Sequence, residues 1–162
     1  MFDSEILALA TAVIDAYRDR GWRLATAESC TGGLVAAALT EVADSSDVVE
    51  RGYVTYSNAA KIELLGVPET TIIAHGAVSL ETVKAMAAGA ARRAGVDVAV
   101  SVTGIAGPGG ATAEKPVGLV HLGIARRGQG GRGEHHVFRG DRDAIRRAAV
   151  VRALEMLKEE AA

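Results

Sequence analysis

The stretch Val96-Asp97-Val98-Ala99-Val100-Ser101-Val102 does most to limit what this chain can become. It is a continuous apolar run with a single charge, Asp97, near its start. Such a run lacks the alternation of a strand with one wet face. It belongs in a sheet covered by helices on both sides. It ends in Thr103-Gly104-Ile105-Ala106-Gly107-Pro108-Gly109-Gly110, whose glycines and proline mark a true loop.

The flanking segments supply the covering helices. Residues 4–19 place Ile6, Leu7, Leu9, Ala10, Val13, Ile14 and Tyr17 at helical spacing, with Ser4 as the expected cap and Gly21 as the stop. Trp22 to Ala27 reads as a first strand and Ser29 to Leu39 as a second helix. Gly52 to Tyr56 reads as another strand, rich in aromatic and branched residues. Ser57-Asn58 caps a short helix, Ala59 to Leu65, closed by Gly66. Glu69 to Ala77 reads as loop with one extended piece. A helix runs from Ser79 to Ala94, closed by Gly95. Val117 to Ala125 and Glu134 to Phe138 form a hairpin about the tip Gly128-Gln129-Gly130-Gly131. Asp141 caps a last helix to about Lys158. Strands alternating with helices, then a hairpin, predict an α/β fold, a three-layer α/β/α sandwich over a mixed sheet. With no repeat or linker, residues 1–162 are expected to form one domain. Ligands on such sheets bind beyond the strand C-termini, which brings the Ser29 and Thr103 loops to one place.

Composition excludes several classes. The formal net charge is −2 with both signs mixed along the chain, which argues against an electrostatic nucleic-acid binder. A single cysteine excludes an intrachain disulfide framework and fits a reducing compartment. No basic leader opens the chain, and no apolar run reaches the ~20 residues of a membrane span. A cytoplasmic protein is expected. No His, Cys or acidic cluster has metal-ligand spacing, so neither metal nor cofactor is expected.

The candidate chemistry gathers at Thr26-Ala27-Glu28-Ser29-Cys30-Thr31-Gly32-Gly33. Ser29 supports two readings, helix cap and nucleophile, and a strand-to-helix turn allows both at once. Backbone N–H groups from Cys30 to Gly33 would then receive an oxyanion. Its base is not evident among the histidines: His75 precedes a glycine, His121 lies inside a strand, and His135 and His136 face opposite sides. Lys61 is the other candidate, since a lysine in an apolar concave place loses its proton readily. Tyr56 would relay a proton or simply pack. Glu28 orients the lysine or the turn, or lies on the surface. Cys30 would feel the helix end, which lowers a thiol's pKa, but a lone cysteine beside a serine reads first as simply buried. The Gly104–Gly110 loop offers N–H groups to a phosphate or sugar, but matches neither common nucleotide-binding spacing. Arg142, Arg146, Arg147 and Arg152 read as a solvated helix face, with anion steering or subunit contact as the rival reading.

Together these blocks resemble one family. Thr26 to Gly33, Tyr56-Ser57-Asn58-Ala59-Ala60-Lys61, His75-Gly76-Ala77-Val78-Ser79 and Val102 to Gly110, followed by Glu114-Lys115-Pro116-Val117-Gly118, are similar to the C-terminal domain of the competence/damage-inducible CinA proteins. The similarity runs from about Ile6 to Leu157. That family includes stand-alone nicotinamide-nucleotide amidohydrolases. The resemblance implies a mixed, mostly parallel five-stranded sheet and metal-free hydrolysis of the carboxamide of nicotinamide mononucleotide (NMN). It implies Ser29 as nucleophile, Lys61 as base and Tyr56 as assisting hydroxyl. Glu28, Cys30, Thr31, Gly32, Gly33, Thr103, Gly104, Gly107 and Gly109 are then expected about the substrate. The N-terminal domain of full-length CinA proteins, with its metal-dependent pyrophosphatase-type activity, has no counterpart in these residues. The alternative is a nucleotide-binding regulatory or interaction domain without turnover. A homodimer that touches neither membrane nor nucleic acid is expected.

Overall fold

The structure, a computed structural model, describes all residues from Met1 to Ala162. The elements in chain order are α1 (Ser4–Arg20), β1 (Leu24–Glu28), α2 (Leu34–Thr40), β2 (Val49–Val54), α3 (Asn58–Leu65), α4 (Glu69–His75), α5 (Leu80–Ala94), β3 (Val98–Gly104), β4 (Leu119–Arg126), β5 (Arg132–Val137) and α6 (Arg142–Glu160), with a 3₁₀ turn at Ser45–Asp47. The apolar run forms β3 at the centre of a five-stranded sheet of order β2-β1-β3-β4-β5. Its pairings with β1, and those of β1 with β2, are parallel; β3–β4 and β4–β5 are antiparallel. Only β4 therefore runs against the rest. The resulting three layers are the expected α/β/α sandwich.

Successive residues of β3 serve the two sides of the sheet. Val98, Val100 and Val102 join α1, α2 and α6 in one core with Tyr17, Leu39, Ile145 and Leu154. Ala99 joins Ala25, Ala27 and Ala125 in a second core beneath Leu65, Ile72, Met86 and Ala90 of α3, α4 and α5. Each buried Val, Leu, Ile or Met contributes roughly 1.5–3 kcal/mol, so the first core carries more of the stability. The alanine face serves close approach. The Gly89 Cα faces the Leu65 carbonyl so closely that an added Cβ would lie 1.9 Å from that oxygen. No helix is long and apolar enough to cross a membrane.

Several boundaries differ from the sequence reading, each for a physical reason. Asp3, not Ser4, caps α1: its carboxylate accepts the Ile6 N–H at 3.1 Å, and a carboxylate at a helix N-terminus also meets the macrodipole. Glu69 to Ala77 is not a loop. Its residues Glu69–His75 form α4, because Pro68 and Glu69 start a helix well and Ile72 is buried in the second core. The β-branched run Thr70-Thr71-Ile72-Ile73 favours extended backbone, and packing overrides that preference. Finally, α2 begins at Leu34, five residues after Ser29, with Gly33 at its cap position.

Candidate active site

The last point decides how Ser29 is held. It leaves β1 with its N–H donated to the Val102 carbonyl at 2.9 Å, and its own carbonyl accepts the Gly32 N–H at 3.0 Å. Ser29 is therefore not the cap of α2, contrary to the first of the two readings. Glu28 does that work from the end of β1. It is 1% exposed, and its carboxylate accepts the N–H groups of Val35 at 2.9 Å and Ala36 at 3.1 Å. The Thr31 hydroxyl at 2.7 Å and the Thr26 hydroxyl at 3.3 Å complete its shell. Two otherwise orphaned donors of the first turn are satisfied by a full negative charge at the positive end of the helix. Glu28 is thus neither on the surface nor turned to a ligand. Gly32 at φ +59° and Gly33 at φ +102° let the chain make the tight turn this requires.

Lys61 comes to Ser29 from the other side. The Ser57 hydroxyl accepts the Ala60 N–H and so fixes the start of α3, which aims Lys61 back under β2. Its Nζ lies 3.1 Å from Ser29 Oγ, 2.8 Å from the Thr55 carbonyl oxygen and 3.3 Å from that of Tyr56. The residue is 1% exposed, and no carboxylate pairs with it. Burial lowers its pKa from the usual lysine value, with the Cys30 side chain a smaller opposing influence. A neutral amine has two N–H bonds and one lone pair. The two carbonyls match the two N–H bonds, which leaves the lone pair for the Ser29 hydroxyl proton.

A cleft of about 230 Å³ opens over this pair, lined by Ser29, Cys30, Tyr56, Lys61, Ala77, Val78, Thr103, Gly104, Ala106 and Arg142. Thr103 helps to shape it through a hydrogen bond from its hydroxyl to the Ala77 carbonyl at 2.9 Å. The expected residues Thr31, Gly32, Gly33, Gly107 and Gly109 do not line the cleft. Thr31 is buried under the turn, and Gly107 acts at one remove, its carbonyl accepting from Arg142 at 2.7 Å. Tyr56 is 64% exposed, and its hydroxyl meets the Arg142 guanidinium at 3.4 Å rather than Ser29 or Lys61. Only its carbonyl touches the amine. Cys30 is buried, the plainer of its two readings, and burial pushes its thiol up to about 11 instead of letting the helix end lower it.

Arg142 is the lining residue that the sequence reading left on a solvated face. A signal existed. It sits in the first turn of α6, right after the Asp141 cap, where the helix dipole disfavours a cation. Ala77 and Val78 lay in a recognised block with no role attached. Ala106 lay inside a loop whose glycines drew attention instead.

A buried lysine hydrogen-bonded to a serine at the end of a parallel strand, beneath a cleft, has the arrangement of a nucleophile and its base. The molecule is thus an α/β domain with a serine–lysine pair at its carboxyl-terminal strand edge. The chain belongs to the CinA C-terminal domain family, whose model matches residues 6–161. It is 49% identical over 160 residues to the nicotinamide-nucleotide amidohydrolase PncC of Escherichia coli K12, covering 99% of this chain and 97% of that one. It is also 49% identical to a competence-damage inducible protein of Symbiobacterium thermophilum, but there it covers only 39% of the relative's length. The crystal structure of the competence/damage inducible protein CihA from Agrobacterium tumefaciens superposes with a TM-score of 0.91 at 51% identity, covering 97% of this chain and 96% of that one.

Proposed function

We propose that this chain hydrolyses the carboxamide of nicotinamide mononucleotide, releasing nicotinic acid mononucleotide and ammonia. The observation that carries the chemistry is the 3.1 Å contact between Lys61 Nζ and Ser29 Oγ, with both remaining amine positions occupied by carbonyls. The substrate assignment is supported by similarity to the Escherichia coli enzyme over nearly its whole length.

In this reading Lys61 takes the Ser29 hydroxyl proton as Oγ attacks the carboxamide carbon. The carbonyl oxygen becomes an oxyanion and meets main-chain N–H groups of the turn, where one such donor is typically worth roughly 3–4 kcal/mol. The Lys61 ammonium then protonates the departing nitrogen. The C–N bond breaks, ammonia leaves, and an ester to Ser29 remains. Water attacks that ester, gives a proton to Lys61, and Ser29 Oγ departs with a proton returned from the amine. Tyr56 has no part in these transfers, because its hydroxyl faces Arg142. The cleft takes the nicotinamide ring, and the ribose phosphate projects past the Tyr56–Arg142 rim, where the guanidinium meets the phosphate charge. Residence in the cytoplasm and assembly as a homodimer belong to the same proposal, checked by fractionation and light scattering.

The test is a coupled ammonia assay on NMN, run with and without chelator, for the wild-type protein and Ser29→Ala. Wild-type turnover that persists with chelator is expected, with none above background in the variant. Both should unfold at similar temperatures, since Ser29 Oγ makes no bond except to Lys61. Wild-type turnover by Ser29→Ala would overturn the mechanism. Tight NMN binding without ammonia release would favour a regulatory domain instead.

A further inference from the structure

Arg146 does something that no other arginine of α6 does. Arg147 pairs with Asp3 and Glu5, and Arg152 with Glu134, Glu155 and Glu159. Arg142 holds Gly107 and faces the cleft. Arg146 has no carboxylate partner and lies outside the cleft lining. Its half-buried guanidinium donates from Nε to the Cys30 carbonyl at 3.1 Å and from Nη2 to the Thr31 carbonyl at 3.4 Å. It thus grips the turn that follows Ser29.

The hydrogen bonds of that turn can be counted through. The Ser29 N–H goes to Val102, and the Gly32 N–H goes to Ser29. The Cys30 carbonyl goes to Arg146, the Thr31 carbonyl accepts from Leu34 at 3.1 Å and from Arg146, and the Thr31 hydroxyl and the start of α2 go to Glu28. From Ser29 to Gly33, the N–H groups of Cys30, Thr31 and Gly33 have no acceptor, and those of Cys30 and Thr31 follow Ser29 directly. Unpaired main-chain donors in a well-ordered segment call for an explanation. The amide joining Cys30 to Thr31 is trans, so its C=O and N–H point in opposite directions. A guanidinium on that oxygen turns the Thr31 N–H away from α6. It also draws electron density toward the oxygen, which makes the N–H a stronger donor.

We propose that Arg146 is a positioning residue of the hydrolytic site, holding the Cys30 carbonyl so that the free Thr31 N–H of the same amide is set to receive the oxyanion beside that of Cys30. This rests on the hydrolytic reading above. A donor that acts only on the oxyanion stabilises the transition state, not bound substrate. Its loss therefore lowers kcat and leaves KM near the wild-type value.

The experiment measures ammonia release from NMN by wild type, Arg146→Gln and Arg146→Lys, with Ser29→Ala as blank and thermal unfolding recorded for each. A fall in kcat of about 10- to 100-fold is expected for Arg146→Gln, somewhat below the loss of an oxyanion donor itself. Arg146→Lys, whose single ammonium reaches one carbonyl, is expected to fall in between and carries the test should the glutamine variant not fold. Added guanidinium ion is expected to restore part of the lost kcat. A raised KM with kcat kept would make Arg146 a phosphate-steering cation and overturn the proposal. A kcat loss that follows the folded fraction and is not rescued would overturn it as well. Wild-type kcat in both variants sinks this proposal alone, whereas a wild type that releases no ammonia sinks the hydrolytic reading and this proposal with it.

Discussion

Lys61 is held where a lysine is least at ease. It is 1% exposed with no carboxylate beside it, and three oxygens, two of them carbonyls, are its polar company. A protonated amine there gives up hydration without an ionic partner, which is why its pKa falls. The direction suits a base, because the neutral form gains population as pH rises. Ammonia release should climb with pH along a limb set by Lys61, with its midpoint below the usual lysine value of 10.5. The stability sign follows from the same shift. Between the lowered value and 10.5 the unfolded chain binds more protons than the folded one, so folding stability rises with pH across that window. Lys61→Met keeps the aliphatic stem and removes the amine. It should lower kcat/KM by about 10²- to 10⁴-fold, the usual contribution of a general base. It should also raise Tm at neutral pH, with the difference from wild type narrowing as pH approaches 10.5. Calorimetry across that range is the check. A Met variant no more stable than wild type at pH 7 would mean that the amine is better solvated than its surroundings indicate.

At the scale of elements, α5 shows how packing sets a residue against its propensity. Gly89 sits inside a helix of 15 residues, where glycine is unfavourable by about 1 kcal/mol relative to alanine. It is required because an added Cβ would meet the Leu65 carbonyl at 1.9 Å, and that atom is backbone at the end of α3. Overpacking of this kind costs about 1–3 kcal/mol. Gly89→Ala should therefore destabilise by about 1 kcal/mol net of the propensity gained, as read from urea unfolding. Because α3 carries Lys61, it should also reduce turnover. Stabilisation would show that α3 shifts freely. The same scale explains what the sequence could say. Ser57, Ser79, Asp141, Gly21, Gly66 and Gly95 were legible as caps because a cap bonds within a few residues of itself. The cap of α2 was not, because Glu28 reaches seven and eight residues forward from the end of a strand. Lys61 was legible as a candidate base from its apolar neighbours and the family blocks. That Tyr56 would present its carbonyl rather than its hydroxyl was not, since its ring direction depends on Arg142, 86 residues away.

Across the whole molecule, the layer of α1 and α6 is tied to the sheet edge by charge as well as by apolar packing. The edge strand β5 would otherwise offer an open row of hydrogen-bonding groups. Glu134 on β5 takes Arg152 of α6 at 2.5 Å and 3.1 Å, while Glu155 and Glu159 hold the same guanidinium from its own helix. Arg132 of the same strand pairs with Glu160 near the end of α6. The Arg152 hydrogen bonds, helped by His136, draw the Glu134 carboxyl down to about 2 from 4.5, against the opposing influence of burial. A carboxylate whose folded value is depressed contributes stability that is complete above its unfolded value and is lost as pH falls through the folded one. Here that window runs from about 4.5 down to about 2. The contribution is about 1–2 kcal/mol once solvent screening of a partly exposed pair is allowed for. Glu134→Gln should match that loss at pH 6 and make stability less dependent on pH below 4.5, as followed by urea unfolding between pH 2 and 6. Glu134 stands on the opposite edge of the sheet, three strands across from the end of β1 that carries Ser29, so ammonia release at neutral pH should be unchanged. If the variant and wild type lose stability in parallel through the acid range, the clamp between β5 and α6 rests on apolar contacts alone.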